Sequence, residues 1–543
     1  MRDVPAIRWT ALVFLAFAMF CAYIFMDILS PVKDIMESTR GWSSTTFGTY
    51  AGSETFLNVF IFFLIFAGII LDKMGVRFTA ILSGIVMLVG AAINWYAVTE
   101  AFNGTSLECW FNNNLNYIPG FDELGISPFF RGMPASAKLS SVGFMIFGCG
   151  VEMAGITVSR GIVKWFKGKE MALAMGSEMA LARLGVATCM IFSPMIAKAK
   201  IMGSVDVSHS VAFGVILLMI ALMMFFAYFF MDKKLDVQLG EAEEKDEPFK
   251  ISDIGKIFAS GGFWLVALLC VLYYSAIFPF QKYAVNMLEC NIHFEEVAKD
   301  SFWASSTVTF VQYAIMLVVA AAAFISNFQK KTLKITLLVI SVVFLITFCV
   351  MGYLRQSAET IFAVFPLLAV GITPILGKYV DTKGKAASML MLGSILLILC
   401  HLTFAFILPM FSGIGSVVVA YLTILVLGSS FSLVPASLWP SVPKLVDSRV
   451  IGSAYALIFW IQNIGLWLFP LLIGKILDAS NPEVVQQLKD GIITPKEASI
   501  MYNYTNPLIM LACLGVIALV LGFVLKMWDK KKGMGLELPN IKE

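Results

Sequence analysis

Charge is what this chain has least of. Of its 543 residues only 14% are Asp, Glu, Lys or Arg, where a soluble protein of this size keeps roughly a quarter. A surface so poor in charge cannot hold a chain in water, which excludes a soluble globular domain. Histidine is scarce, with 3 copies. No Ser/His/Asp set, P-loop or cofactor fingerprint occurs, and the 9 cysteines show no metal-ligand spacing. Catalysis, a bound metal, a cofactor and a nucleic-acid partner are therefore not expected. The net charge of +3 says little.

Apolar residues supply what is missing elsewhere: 59% of the chain is hydrophobic and the mean hydropathy is +0.85. A helix crossing a bilayer needs roughly 20 mostly apolar residues. By that ruler the chain holds about fourteen spans, near 8–30, 48–71, 77–98, 139–163, 171–195, 208–231, 262–285, 302–327, 332–353, 358–379, 385–409, 413–437, 449–478 and 504–527. They must be helices, because lipid offers backbone groups no hydrogen bonds. The dyad alternation of a β-barrel is missing. An even number of spans puts both termini on one side. About two thirds of the 39 Lys and Arg fall on that side, so both termini are expected in the cytoplasm. The first apolar run lacks a small-residue cleavage site and reads as the first span.

The expected organisation is an N-terminal six-helix bundle at 1–231 and a cytoplasmic linker at 232–261, which contains KKLDVQLGEAEEKDEPFK. A C-terminal bundle at 262–530 and a tail at 531–543 follow. Two outer loops, 99–138 and 479–503, carry turn chemistry and the sequons Asn103-Gly-Thr105 and Asn503-Tyr-Thr505. Cys109 and Cys290 both fall on the outer face, and whether they pair stays open. One device occurs twice. GIILDKMGVR follows the second span and GKYVDTKGKA follows the tenth. Both read Gly-x3-Asp-x2-Gly with a basic residue at the end. Glycine permits the tight turn, and the acid can cap a helix or pair with arginine.

Charges at lipid depth are costly, so each marks a function or an ion pair. Arg183, in GSEMALARLGV, lies about 18 Å from either end of its span. Glu152, in FGCGVEMAGI, sits at nearly the same depth on the preceding, antiparallel span. They form either a permanent ion pair or the two ends of a site for a zwitterion, with Arg183 on a carboxylate and Glu152 on an ammonium. Asp27 and Glu54 lie toward the outer ends of their spans. Glu178 is five residues before Arg183 and off its helical face. These three are candidates for proton coupling. Arg160 and Lys282, near span ends, can snorkel. His401 reads as hydrogen-bonded filler. Tyr273 and Tyr274, before Pro279, read as lining of a solute path. Gln462 and Asn463 read equally as substrate contacts or as packing glue.

Gly68, Asp72, Gly75 and Arg77 resemble the signature loop of the major facilitator superfamily, and Gly377, Asp381, Gly384 and Lys385 resemble its C-terminal echo. That resemblance implies two six-helix bundles around a central substrate path and alternating access. The echo should follow the second span of its half. Four spans intervene, so a helix pair at 302–353 is expected as a peripheral insertion. KWFKGKE, LARLGV, YYSAIFPF, VDTKGK, SLWPSV and GSAYALIFWIQNIGL together are similar to the lysosomal dipeptide uniporter branch. Membership there implies uniport of dipeptides, with Glu152 and Arg183 clamping the peptide termini. The fourteen spans, the long outer loops and the short N-terminal segment differ from the lysosomal members. They point to a bacterial relative in the cell (inner) membrane, with the lysosomal membrane as the alternative. The expectation is a secondary transporter of small zwitterions, most simply dipeptides or amino acids. The alternatives are an organic anion or monocarboxylate carrier, and a solute receptor that does not transport. The bilayer and a small-molecule substrate are the expected partners; an accessory subunit is not readable.

Overall fold

The computed structural model describes residues 1–115, 129–166, 171–201, 203–239, 255, 257–294, 301–327, 329–446 and 451–539. Most of the expected linker, the middle of the first long outer loop and the KGKE of KWFKGKE lie outside them. The described residues form helices α1 (Pro5–Met26), α2 (Lys33–Arg40), α3 (Ser44–Phe60), α4 (Phe63–Val98), α5 (Ser106–Asn113), α6 (Ala135–Phe166), α7 (Met171–Ala197) and α8 (Ser208–Leu239). Then come α9 (Gly261–Ile292), α10 (Ser306–Ser326), α11 (Lys331–Leu354), α12 (Ala358–Lys383), α13 (Ala386–Leu402), α14 (Ile414–Leu438), α15 (Val442–Leu445), α16 (Ile451–Ser480), α17 (Pro482–Lys489), α18 (Pro495–Ser499) and α19 (Thr505–Lys532). No β-strand occurs among the described residues.

Thirteen helices among the described residues are long and apolar enough to cross a membrane. The difference from fourteen lies in the second span. It breaks after α3, where Phe62 takes a left-handed φ of 55°, and resumes as the start of α4. That helix then runs through Gly75 (φ 79°, ψ 168°), where the chain turns into the third span. Nothing in the sequence announces the break, because neither glycine nor proline occurs near Phe62.

The residues fall into two compact units. The first comprises Met1–Ile28, Thr49–Cys189 and Ile196–Ile251. The second comprises Leu29–Gly48, Met190–Met195 and Ser252–Glu543. Two short segments that precede the linker in sequence thus pack in the second unit. Within the first unit, glycines set the closest approaches. A Cβ at Gly148 would collide with the Glu54 carbonyl oxygen, and one at Gly150 would lie 2.6 Å from the Met87 backbone nitrogen. Both glycines belong to the FGCGVE string of α6, one turn or less before Glu152. In the second unit helices α10 and α11, the pair expected as an insertion, are joined by Ser341 Oγ donating to the Val319 carbonyl at 3.2 Å. Arg355 Nη1 donates to Gln312 Oε1 at 2.6 Å.

Candidate functional site

In the first unit Arg183 faces one phenol, that of Tyr23. Gly185, two residues after Arg183, has no side chain, and a Cβ there would lie 2.5 Å from the Phe20 carbonyl oxygen. The α1 backbone therefore presses against α7 at LARLG, and Tyr23, one turn beyond Phe20, comes to face Arg183. The guanidinium carbon stands 5.6 Å from the centroid of the Tyr23 ring, within cation–π range. The Tyr23 hydroxyl interacts electrostatically with Arg183, Glu178, Glu152 and Glu54. Four of the sequence-derived residues thus act on Tyr23, which the sequence does not single out. Glu178, expected to be off the Arg183 face, is among them. Tyr23, Glu54, Glu152, Glu178 and Arg183 are all only half-buried. Asp27 is buried at 2% exposure; it and Glu54 act electrostatically on Tyr50, whose hydroxyl accepts from Asn94 Nδ2 at 2.8 Å.

The second unit places the other expected residues. The Tyr273 hydroxyl donates to the Leu390 carbonyl and lies 2.5 Å from Ser394 Oγ, so it joins α9 to α13. Tyr274 accepts from Trp439 Nε1 at 3.2 Å. Trp439 also stacks on Phe459, with ring centroids 4.9 Å apart, and its carbonyl accepts from the Tyr455 hydroxyl at 3.0 Å. Gln462 accepts from Cys270 Sγ at 3.3 Å, and Asn463 is buried at 1% exposure. His401 Nε2 lies 3.1 Å from the Ala276 carbonyl, a helix-to-helix tie. Trp439, in SLWPSV, and Tyr455, in GSAYALIFWIQNIGL, are not marked by any pattern in the sequence.

The signature loops are anchored within their own units. In the first, Asp72 pairs with Arg160, which therefore does not simply snorkel, and Arg77 pairs with Asp236 at 2.7 Å. Lys164 bridges Asp232 at 2.7 Å and Asp236 at 2.5 Å. Lys282, also expected to snorkel, is 9% exposed. Gly75 and Gly384 take positive φ and make the turns. Gly68 and Gly377 instead lie inside α4 and α12. All nine cysteines are free thiols; Cys109 is exposed and Cys290 buried.

The sequence profile of the Major Facilitator Superfamily matches residues 15–365. The chain belongs to that superfamily. As a member it is a multi-pass membrane protein, and the curated relatives it matches are named as transporters. It is 26% identical over 349 residues to the lysosomal dipeptide transporter MFSD1 of Danio rerio, covering 63% of this chain and 60% of that protein. The match to the Homo sapiens protein is 24% identical over 347 residues, with 63% and 60% covered. The chain thus matches about three fifths of the length of these curated relatives. Among solved structures, the nucleoside transporter NupG (D323A mutant) superposes with a TM-score of 0.60 at 13% identity, covering 96% of this chain and 99% of that one. A bacterial homologue of the human lysosomal transporter Spinster, inward-facing and occupied, gives 0.60 at 12% identity, covering 97% and 99%. At such identities the superpositions establish the major facilitator fold.

Proposed function

We propose that this superfamily member carries small zwitterionic solutes, most simply dipeptides, by alternating access. The carrying observation is the half-buried Arg183 guanidinium set on the Tyr23 ring, with Glu54, Glu152 and Glu178 close enough to act electrostatically on the same phenol. Arg183 is the group for the substrate carboxylate, because its planar fork matches two oxygens at once. Glu152 is the group for the ammonium. Tyr23 holds the guanidinium face and so orients the fork. A carrier of simple anions would have no use for three carboxylates beside its one cation, which weighs against that alternative. The similarity to dipeptide transporters, at about a quarter identity, supports the same reading.

Localisation follows the same logic. The distribution of Lys and Arg supports cytoplasmic termini in a cell membrane, while the names of the relatives favour a lysosomal one.

The test is a thermal-shift series on the purified protein with alanyl-alanine, its N-acetyl and C-amide derivatives, free alanine and lactate. A ligand that binds only the folded state at 100 times its Kd stabilises it by about 2.7 kcal/mol. Alanyl-alanine should stabilise, and blocking either end should remove the effect. Arg183→Ala should weaken binding by about 3 kcal/mol, roughly a hundredfold in Kd. Stabilisation by lactate but not by the dipeptide would sink the proposal.

A further inference from the structure

The last turns of α8 carry two lysines that neither the solute site nor the signature loop uses. The stretch DKKLDVQ, 232–238, holds charges of both signs, and the helix sorts them by face. Asp232 and Asp236, one turn apart, face the rest of the unit. Asp232 takes Lys164, Trp165 and Tyr228, and Asp236 takes Lys164 and Arg77. Lys233 and Lys234 lie on the other side of the helix and are exposed. No carboxylate among the described residues pairs with either.

These lysines continue an apolar stripe. Ile216, Met219, Met223, Phe226 and Phe230 are all exposed, and steps of three and four residues put them on one face of α8. The same steps lead on to Lys233, Lys234 and Val237. Phe230, Lys233, Lys234 and Val237 line a groove of about 460 Å³ together with Met1 and Gln238. Met1 N donates to Gln238 Oε1 at 2.8 Å and so ties the first residue to this turn. At about 1.5 Å per residue α8 is about 48 Å long, against a hydrocarbon core of about 30 Å. Its apolar run ends at Met231, so the lysines stand at the depth of the lipid headgroups.

We propose that this face of α8 binds one anionic phospholipid, with the phosphate against Lys233 and Lys234 and an acyl chain along Phe230, Phe226 and Met223. Two ammonium groups at the end of an exposed apolar stripe match such an amphiphile in charge and in shape, and lysines beside a membrane surface attract anionic lipid. Free phosphate would use the lysines and leave the stripe idle. The acidic run at 241–247 that follows in the sequence could answer the charge, but it offers the stripe nothing more apolar than Ala242. The proposal holds whichever solute is carried and whichever side of the membrane this end of α8 occupies.

The experiment places the full-length protein in phosphatidylcholine nanodiscs with a trace of photoreactive lipid. The probe is phosphatidylglycerol or phosphatidylcholine, each with the same diazirine-bearing acyl chain, and cross-links are mapped by peptide mass. Phosphatidylglycerol should label 219–230 about thirtyfold more than phosphatidylcholine, the factor for two surface lysines. The control is the exposed face of α14 at Val418 and Leu422, in a stretch, 403–438, without Lys or Arg. There the two probes should label alike. Lys233→Gln combined with Lys234→Gln should bring the α8 ratio down to that of α14. Both side chains are exposed, so the fold keeps its contacts. Equal labelling of α8 by the two probes in the unaltered protein would overturn the proposal, and so would an unchanged ratio in the double variant. Loss of the phosphatidylglycerol excess in millimolar inorganic phosphate would mean a phosphate site instead. An excess that emerges only once Glu241, Glu243 and Glu244 are changed to Gln would make the acidic run the occupant and overturn the proposal as well.

Discussion

The two signature loops share a sequence pattern and are anchored by different means. Around the first, charge does the holding: Asp72 on Arg160, Arg77 on Asp236, and Lys164 between Asp236 and the buried Asp232. Around the second, the chain's own tail does it. Lys385 and Ala386 donate their backbone N–H groups to the carbonyls of Glu537 and Leu536 at 3.1 and 3.3 Å. The Glu537 carboxylate accepts from Ser388 N at 2.9 Å and Ser388 Oγ at 2.7 Å. It thereby caps α13, whose own N-cap residue, Lys385, offers no side-chain cap. Leu536 is fully buried, and Lys444 Nζ donates to the Gly535 and Leu538 carbonyls, both at 3.0 Å. A repeated motif thus fixes a turn, while its support is recruited locally from whatever lies nearby.

The largest way to break the contrast is at Asp232. It accepts from Lys164, from Trp165 Nε1 at 2.9 Å and from the Tyr228 hydroxyl at 3.1 Å. Asp232→Asn should cost about 3 kcal/mol, because a buried ion pair loses one partner. A melt of the solubilised protein should drop by several degrees. Next comes removal of residues 534–543. Loss of Leu536 burial, about 2 kcal/mol, and of the Glu537 cap, about 1 kcal/mol, should loosen the second loop alone. Hydrogen exchange at the amides of 385–389 should quicken while 72–77 keeps its rate. A uniform change would mean that the two loops share a support.

Smaller effects sharpen the same comparison. Arg77 and Asp236 are each about one third exposed, so Arg77→Gln should change stability by no more than about 1 kcal/mol. At 1 M salt, where screening acts within about 3 Å, exchange in the first loop should quicken more than that in the second, whose ion pair, Lys526 with Glu537, is long at 3.9 Å. The least effect belongs to α18. Thr494 donates its backbone N–H and hydroxyl to Glu497 at 2.7 and 2.8 Å. These bonds hold the carboxyl below its ordinary range. Its contribution is complete above the pKa of the unfolded chain and is lost as pH falls through the lower, folded one. Exchange near 494–499 should therefore quicken only in acid, and Glu497→Gln should remove that pH dependence.

The sequence carried the spans, the repeated loops and the central charges, because long apolar runs and charges within them are local signals. Arg183 and Glu152 were legible by depth. Tyr23 was not: one aromatic in FCAYIFM is unremarkable until α1 is laid on α7. The cue was Gly185, whose missing side chain marks the approach. The same holds for Gly148 beside Glu152. Tyr273 looked like path lining and spends its hydroxyl on α13, since no pattern tells a phenol that faces a cavity from one that ties helices. The Glu37–Tyr502 and Ser388–Glu537 contacts join residues 465 and 149 positions apart, and only the fold brings them together.

Helix α11 carries a consequence of another kind. Only 22% of the most apolar stretch of α11 is buried, against 72% in α6. Val339, Val342, Val343, Ile346 and Val350 stand open, so this helix meets hydrocarbon along most of its girth. Hydrophobic mismatch is relieved by tilt where packing resists least. A thicker or thinner bilayer will therefore tilt α11 before it disturbs a well-packed helix such as α6. Membrane thickness reaches this protein first through a stretch of chain that holds none of the charges proposed to face a solute.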